Sequence, residues 1–216
     1  MADRSGFIKF MAEAGVLTFG DFITKSGRRT PYFINTGNYR TGAQLAALGD
    51  WYARSIKESG EEFDALFGPA YKGIPLAATA AASLYRSYGR DVPYFFNRKE
   101  VKDHGEGGST VGYRPKDGDR IAIIEDVVTA GTAVRESLAL LSGLAEVKVT
   151  ALYVSVDRME RGTEEKLSAL DELRERYGIK VYPIITVRDI IATFPEGDPH
   201  RAAMEQYLAE YGVKGR

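Results

Sequence analysis

Two adjacent carboxylates, Glu125 and Asp126, have the clearest chemical use in this sequence. They follow the apolar, β-branched run 121–124 and precede the small, hydroxylated stretch 129–132. Carboxylates accept hydrogen bonds from a pair of vicinal hydroxyls, and small residues before a helix let a phosphate approach its first N–H groups. Phosphate next to a diol describes a ribose 5-phosphate. The alternative is an acidic strand end followed by an ordinary helix that a Thr side chain caps.

The elements around this pair are predicted to be a buried strand, a loop and a helix. The run 120–124 forms the strand, and residues 133–141 carry apolar side chains at helical spacing. From residue 63 onward strands alternate with helices, which predicts the α/β class, with a central parallel sheet flanked by helices on both faces. Ligands bind at the carboxyl ends of such strands. The ends that carry candidate site residues follow Phe67, Phe96, Ile124 and Val156.

The remaining predicted elements are short and alternate along the chain. They are helices over 5–14, 43–59, 76–88, 163–177, 188–192 and 199–211, and strands over 16–19, 21–23, 63–67, 93–97, 147–156 and 179–187. The charged residues 171–176 are interpreted as a solvated helix face.

The composition limits the class of protein. A chain of 216 residues suffices for one domain with a sizeable core. The net charge of −1 argues against a general nucleic-acid binder. The sequence has no cysteine, which excludes disulfides and Cys-ligated metals and fits a reducing compartment. We find no signal-peptide core and no membrane-spanning run, so we expect a cytoplasmic protein with no membrane partner.

Cations precede or follow several of the predicted strands. Lys25 lies in a basic turn before the apolar Phe33 and Ile34, and a solvated loop is the alternative. Residues 68–75 form a turn with glycine near both ends, for which a plain strand-to-helix turn is the alternative. Arg158 ends a strand, where an arginine binds a carboxylate bidentately or forms a structural salt bridge. The sequence leaves both interpretations open.

The segment 98–109 is charged, rich in glycine and poor in apolar residues, so we predict a mobile loop. Its cationic side chains are Arg98, Lys99, Lys102 and His104. A mobile cationic loop can close over a diphosphate, exclude water and neutralise a leaving group. A flexible surface loop without function is the alternative. Because the chain has only one other histidine, we interpret His104 as a diphosphate contact and not as a metal ligand.

These segments resemble, in order, the motifs of the orotate phosphoribosyltransferases. The stretch 123–133 is similar to the phosphoribosyl-diphosphate (PRPP) signature of type I phosphoribosyltransferases, which is an apolar strand, two acidic residues and a T-x-G-T-type loop. The sequences T-K-S-G-R and P-Y-F-I resemble that family's N-terminal hood. R-K-x-x-K-x-H-G resembles its catalytic lid, and V-D-R-x-E-R-G its orotate-binding arginine. Neither a Walker A loop nor a G-x-G-x-x-G turn after a strand is present.

The resemblance implies one type I phosphoribosyltransferase domain over residues 1–216, with a small N-terminal hood at 1–40 and a mobile lid at 98–112. It implies transfer of ribose 5-phosphate from PRPP to orotate in pyrimidine biosynthesis, giving orotidine 5′-monophosphate and diphosphate. It also implies Mg²⁺ held mainly by PRPP, with no direct protein ligand. A homodimer is implied in which lid residues, Lys99 among them, serve the other subunit's site.

The resemblance also implies three sets of site residues. Those expected to act in catalysis are Lys99, Lys102, His104 and Asp126. Those expected to bind PRPP are Lys25, Tyr71, Lys72, Arg98, Lys99, Lys102, His104, Glu125, Asp126, Val127, Val128, Thr129, Ala130, Gly131, Thr132 and Ala133. Those expected to bind orotate are Lys25, Phe33, Ile34, Thr129 and Arg158. The family's acidic pair is often two aspartates, and Glu125 is longer by one methylene.

Two other functions are weighed against this one. A sister enzyme for another base would leave Lys25 and Arg158 with no carboxylated pyrimidine to bind. A regulator that binds PRPP without catalysis tends to lack a complete lid or to carry a nucleic-acid surface. This chain has the lid residues and no evident basic surface.

Overall fold

The computed structural model describes residues 3–24, 27–102, 108–128, 131–161 and 167–213, the side chains of 100–102 and 108 excepted. The helices are α1 (Arg4–Glu13), α2 (Gly42–Ser59), α3 (Gly73–Tyr88), α4 (Thr132–Ser142), α5 (Ala169–Tyr177), α6 (Val187–Ile191) and α7 (Pro199–Tyr211). The strands are β1 (Leu17–Ile23), β2 (Arg29–Ile34), β3 (Ala65–Phe67), β4 (Tyr94–Lys102), β5 (Gly108–Gly112), β6 (Arg120–Val127), β7 (Lys148–Asp157) and β8 (Lys180–Thr186). None of the helices in these ranges has both the length and the apolar character that crossing a bilayer requires.

A six-stranded sheet in the order β5-β4-β3-β6-β7-β8 forms the centre of the protein. Strands β4, β3, β6, β7 and β8 run parallel, and β5 pairs antiparallel with β4 at one edge. The predicted α/β class with a central, mostly parallel sheet is therefore confirmed. The antiparallel edge strand was not predicted.

Apolar layers cover both faces of this sheet. Ala122 and Ile124 of β6 belong to a core shared with α1, α2, α3, α6 and α7, whereas Ile121 and Ile123 belong to a core shared with α4 and α5. Successive strand residues point to opposite faces, so burial on both faces explains why this strand is an uninterrupted apolar run. The helices cover the two faces of the sheet and leave the carboxyl ends of the strands uncovered. The functional groups lie at those ends.

A second sheet pairs β1 with β2 in antiparallel fashion. Two short strands were predicted over 16–19 and 21–23, but β1 continues through Gly20 as one strand. The pairing shifts register between Phe19 and Phe22. A bulge of this kind accommodates one extra residue in β1 without ending the strand. The buried ring of Tyr32 in β2 packs edge-on against Tyr207 of α7 at 6.0 Å, which joins this sheet to the C-terminal helix.

The prediction of a loop over 98–109 is wrong for both of its ends. Strand β4 runs to Lys102 and β5 begins at Gly108, and these two residues pair with each other. The reason is that backbone hydrogen bonds to a neighbouring strand can extend a sheet edge through residues with few apolar side chains. Residues 103–107, including His104, lie outside the described residues. The mobility of the lid stays a prediction.

Helix α5 begins at Ala169, and not at the predicted Thr163. Ser168 caps it and exchanges hydrogen bonds with Asp171 in a capping box. The prediction that 171–176 form a solvated face is also wrong at its start, because Asp171 and Glu172 are buried. Their charges are matched by arginines of α5 and α4, since Arg174 lies 2.7 Å from Asp171 and Arg135 lies 3.7 Å from Glu172.

Candidate active site

The site lies where the carboxyl ends of β3, β6 and β7 meet at one edge of the sheet. Glu125 and Asp126 lie near the carboxyl end of strand β6, which pairs with β7 on one side and with β3 on the other. Tyr52 of α2 donates to the backbone oxygen of Glu125 at 2.8 Å, and Ser155 of β7 donates to that of Asp126 at 2.6 Å. The backbone of the acidic pair is therefore fixed by two buried hydroxyls from neighbouring elements.

The turn between β3 and α3 brings Lys72 to the acidic pair. A Cβ on Gly68 would lie 2.2 Å from the Gly73 oxygen, so only glycine permits the close approach of the two ends of this turn. The Ala70–Tyr71 peptide bond is cis. The Ala70 N–H donates to Asn97 Oδ1 of β4 at 2.7 Å. The turn is thus attached to the neighbouring strand.

Lys72, Thr36 and Asp126 form one polar cluster. Lys72 Nζ lies 2.8 Å from Asp126 Oδ2 and 3.1 Å from Thr36 Oγ1, and the Thr36 hydroxyl donates to the same carboxylate oxygen. The structure brings together the predicted Lys72 and Asp126. It adds Thr36, which sequence reasoning missed because a lone threonine in a short 3₁₀ turn (Thr36–Asn38) carries no chemical signature.

Hydrogen bonds separate the pKa values of the two carboxyls, although burial acts to raise both. Loss of hydration, followed by the charge of Asp126, raises the pKa of Glu125 to about 7. Burial also opposes ionisation of Asp126, but hydrogen bonds from Lys72, Thr36 and the Val127 N–H lower its pKa below the usual range. Asp126 is therefore ionised at neutral pH, whereas Glu125 changes between its protonated and ionised forms near that pH.

A cavity of about 290 Å³ connects the acidic pair to the start of α4. Its walls are Glu125, Asp126, Val127, Val128, Gly131, Thr132, Ala133 and Val134. Gly131 is the N-cap, at φ 70°, and it offers no side-chain cap to the first N–H groups of the helix. Such N–H groups, together with the helix dipole, bind an anion. Two of the residues expected here, Thr129 and Ala130, lie outside the described residues.

Arg158 takes part in an ion pair close to the end of β7. Its Nε and Nη2 atoms lie 2.8 and 2.7 Å from Glu160 Oε1, and its guanidinium stacks over the Tyr32 ring at 4.9 Å. Burial alone would lower the pKa of Arg158, but the neighbouring Tyr32 and Glu160 raise it. The structural salt bridge, which was the alternative interpretation of Arg158, is thus present. Orotate binding by Arg158 stays a prediction.

Four other predicted residues lie on β2 and β4. Phe33 is exposed and its ring packs against Phe22 at 5.6 Å, whereas Ile34 is partly buried against the core. Arg98 and Lys99 lie on β4, where Arg98 is half-buried and Lys99 exposed. Lys25 and the side chain of Lys102 lie outside the described part of the chain.

No group of three or more acidic or histidine side chains that could hold a metal ion occurs among the described residues. The two carboxylates of the acidic pair are the anionic oxygen donors that face the cavity at α4. Oxygen donors of this kind suit a hard cation such as Mg²⁺ when most of its ligands come from elsewhere.

Comparison with known proteins defines the class of this site. Residues 35–176 match the phosphoribosyl transferase domain, so the class is that of the phosphoribosyltransferases. The chain is 49% identical over 223 residues to an orotate phosphoribosyltransferase of Clostridium beijerinckii, with 99% of each chain covered. It is 50% identical to one of Cronobacter sakazakii, over 96% of this chain and 97% of the relative. The crystal structure of the Francisella tularensis orotate phosphoribosyltransferase has a TM-score of 0.87 at 38% identity, covering 96% of this chain and 100% of that one.

This chain belongs to the orotate phosphoribosyltransferases, a family of pentosyltransferases of the pyrimidine pathway. The family and the type I fold predicted from the motifs are thereby confirmed. The individual site residues are not tested by these comparisons.

The raised pKa of Glu125 predicts a pH-dependent stability. The ordinary value is 4.5 and the folded value about 7, so the folded state binds more protons than the unfolded chain between these values. The stability that Glu125 contributes is full below pH 4.5 and is lost as pH rises through 7. We expect Glu125→Gln to gain stability over the wild type from pH 5 to pH 8, by at most about 3 kcal/mol. Urea unfolding at both pH values measures the difference.

Glu61→Gln is the matched control for this experiment. Glu61 accepts hydrogen bonds from Lys180 and Tyr182 at 2.6 Å each, and these bonds lower its pKa. Because Glu61 is ionised in both states from pH 5 to pH 8, its substitution should change stability by the same amount at both pH values. A difference between wild type and Glu125→Gln that is also equal at the two pH values would contradict the prediction.

Proposed function

We propose that this chain transfers ribose 5-phosphate from PRPP to orotate, with orotidine 5′-monophosphate and diphosphate as products. The observation that carries the proposal is the cavity in which Glu125 and Asp126 lie beside the uncapped start of α4. Carboxylates suit ribose hydroxyls and helix N–H groups suit a phosphate, so one cavity offers partners to both. The base follows from the name of the relatives, orotate phosphoribosyltransferase.

The reaction exchanges one bond at ribose C1 for another. The bond from C1 to the diphosphate oxygen breaks, and its electron pair leaves with the diphosphate. A bond forms from C1 to N1 of the base, and the N1 proton is released to the solvent. Positive charge develops on the ribose ring, so an ionised Asp126 next to the ribose hydroxyls stabilises the transition state. No side chain has to act as a covalent nucleophile.

Cationic side chains in this proposal bind the departing diphosphate. They are Lys72, Arg98, Lys99, Lys102 and His104. The segment 127–133 binds the 5-phosphate through its backbone N–H groups and hydroxyls. Lys25 and Arg158 bind the carboxylate end of orotate, and Phe33 and Ile34 cover its flat ring.

Mg²⁺ is the cofactor that we propose for this reaction. Ribose hydroxyls and diphosphate oxygens supply most of its ligands, as this ion prefers. Glu125 and Asp126 are the carboxylates that would hold those hydroxyls. When bound, the ion neutralises charge on the diphosphate as it leaves.

We further propose that the protein works as a homodimer in the cytoplasm. Lys99 is exposed on β4, so it is free to reach a second subunit. Exposed aromatic rings of Tyr85, Tyr88 and Tyr94 lie on α3 and at the start of β4. Exposed aromatic rings are enriched at protein interfaces. A second copy packed there would lie next to the hairpin that carries Lys99.

The decisive experiment follows the ultraviolet absorbance of orotate with PRPP and Mg²⁺ present and with each omitted in turn. Loss of absorbance only in the complete mixture supports the proposal, and other bases can then be ranked against orotate. If absorbance does not change while PRPP binds by calorimetry, the chain is a PRPP-binding regulator and the proposal fails.

A shared site predicts recovery of activity in mixed dimers. Lys99→Ala and Asp126→Asn subunits are each expected to be nearly inactive alone, because one lacks a lid cation and the other a ribose ligand. Refolded together, they form heterodimers in which one of the two sites has neither substitution. We expect about a quarter of wild-type activity from a random mixture, since half of the dimers then carry one intact site of two. An inactive mixture in which heterodimers are detected by mass would contradict the shared site.

A further inference from the structure

Glu160 connects three elements through a single carboxylate oxygen. Its Oε1 atom accepts hydrogen bonds from Arg158, from the Tyr32 hydroxyl of β2 at 3.2 Å and from the Tyr207 hydroxyl of α7 at 3.1 Å. The Arg158 side chain is 11% exposed and that of Glu160 is 20% exposed. An ion pair this sheltered is weakly screened by solvent. The family motifs give Arg158 a ligand to bind but give Glu160 no role.

The backbone around Glu160 is fixed from both sides. Met159, between Arg158 and Glu160, is buried at φ 54°, a left-handed conformation that is uncommon for any residue with a side chain. Its N–H donates to Asp157 Oδ1 at 2.8 Å, and its oxygen accepts from the Val213 N–H at 3.0 Å. Such a conformation persists where the surroundings determine it. The position of the Glu160 carboxylate is therefore set by the end of β7 and the end of α7 together.

Glu160 uses only one edge of the Arg158 guanidinium. A guanidinium carries five N–H donors in a plane, and the Nε–Nη2 edge is the one that Glu160 binds. Among the residues that the structure describes, Nη1 has no hydrogen-bond partner. The edge formed by Nη1 and Nη2 has the geometry to bind a second carboxylate bidentately. The Tyr32 ring packs against the face of the guanidinium, with its centroid 4.9 Å from Cζ.

We propose that Glu160 is a positioning residue that holds Arg158 so that its free edge meets the carboxylate of the base. The inference rests on the proposed orotate-binding role of Arg158 and deepens it, because it makes Glu160 a determinant of base affinity. A competitor role, in which Glu160 withdraws to admit the substrate, is disfavoured by the tyrosines. Withdrawal would leave the hydroxyl of the fully buried Tyr32 without its acceptor.

Glu160→Ala and Glu160→Gln test this role through the separate KM values of the two substrates. We expect Glu160→Ala to raise the KM for orotate about tenfold to one-hundredfold, as losing a hydrogen bond to a charged group does. The KM for PRPP should stay within about twofold, since the side-chain partners of Glu160 are Arg158, Tyr32 and Tyr207 and do not include the acidic pair. Glu160→Gln should recover most of the orotate affinity, because the amide oxygen still accepts from Arg158 and the tyrosines.

Tyr207→Phe provides a milder variant should Glu160→Ala fold poorly. It removes one donor and leaves the carboxylate, so we expect a rise of about threefold in the KM for orotate, as for one neutral hydrogen bond. Glu61→Ala is the matched control, because Glu61 also joins a cation to a tyrosine, but at the amino ends of the strands. It should change neither KM.

The outcomes separate this inference from the proposed function. A lower KM for orotate in both Glu160 variants would overturn positioning in favour of competition. An equal rise in both KM values would show a structural role only and would also overturn it. Absence of turnover by the wild-type chain would contradict the proposed function itself, which the Glu160 variants do not decide.

Discussion

Asp126→Asn is expected to lower kcat/KM for PRPP about 10³-fold, as removal of a preorganised electrostatic group does. Asparagine preserves the shape of the side chain but cannot stabilise positive charge on the ribose ring. It also removes the ion pair with Lys72, whose Nζ lies 2.8 Å from the carboxylate. Relief of repulsion on Glu125 offsets part of that loss, so the protein should stay folded. Initial rates from orotate absorbance measure the effect, with PRPP affinity by calorimetry beside them.

Asp64→Asn is the matched control for this substitution. Asp64 forms a bidentate pair with Arg120 at 2.8 and 3.1 Å, at the amino ends of β3 and β6, and these hydrogen bonds lower its pKa to about 2. We expect Asp64→Asn to lower the Tm and to leave kcat/KM unchanged. If Asp126→Asn retained more than about a tenth of the wild-type rate, a loss of only 1.4 kcal/mol, the ribose role of Asp126 would be refuted.

The position of the acidic pair could be predicted because one local pattern determines it. A run of apolar residues that is buried on both faces has to be a central strand, and the first charged residues after it have to lie at the strand's end. Glu125 and Asp126 are those residues, and the small residues after them have to begin a helix. The same reasoning placed Lys72 at that edge, since its turn follows the neighbouring strand β3.

The residues that hold this pair could not be predicted, because their signal is spread over distant parts of the chain. Thr36, Tyr52 and Ser155 each contribute one hydroxyl from inside an ordinary turn, helix or strand. A single hydroxyl carries no periodicity, so only the packing of three elements shows its partner. The role of Glu160 could not be predicted for the same reason. Its donors Tyr32 and Tyr207 are 128 and 47 residues away in sequence.

The errors in the charged segments have a common physical cause. Charge was interpreted as exposure, both for residues 171–176 and for the segment 98–109. At the start of α5, arginines that lie three or more residues away compensate buried carboxylates. In the edge hairpin, backbone pairing between β4 and β5 replaces the apolar contacts that a strand usually has. A charged residue is therefore expected to be exposed only where two conditions hold. No partner of opposite charge lies nearby, and no unpaired strand edge is available to bind its backbone.

Lys102→Ala is expected to lower kcat about 10²- to 10³-fold while the KM for orotate changes little. Lys102 ends β4 and pairs with Gly108 of β5, so its backbone lies at the last described pair of the hairpin. A lysine there acts on the diphosphate, whose charge grows only as the bond to C1 breaks, and not on the base. Single-turnover rates and orotate binding, measured on the same preparation, separate the two effects.

Two further variants make the interpretation of Lys102→Ala specific. Lys102→Arg keeps the positive charge and should restore part of kcat, although its planar fork does not replace an ammonium fully. Lys148→Ala removes an exposed lysine at the amino end of β7 and should leave kcat unchanged. An unchanged kcat in Lys102→Ala would remove the lid hypothesis. Stabilisation of the leaving group would then fall to Lys72, which the structure already places beside Asp126.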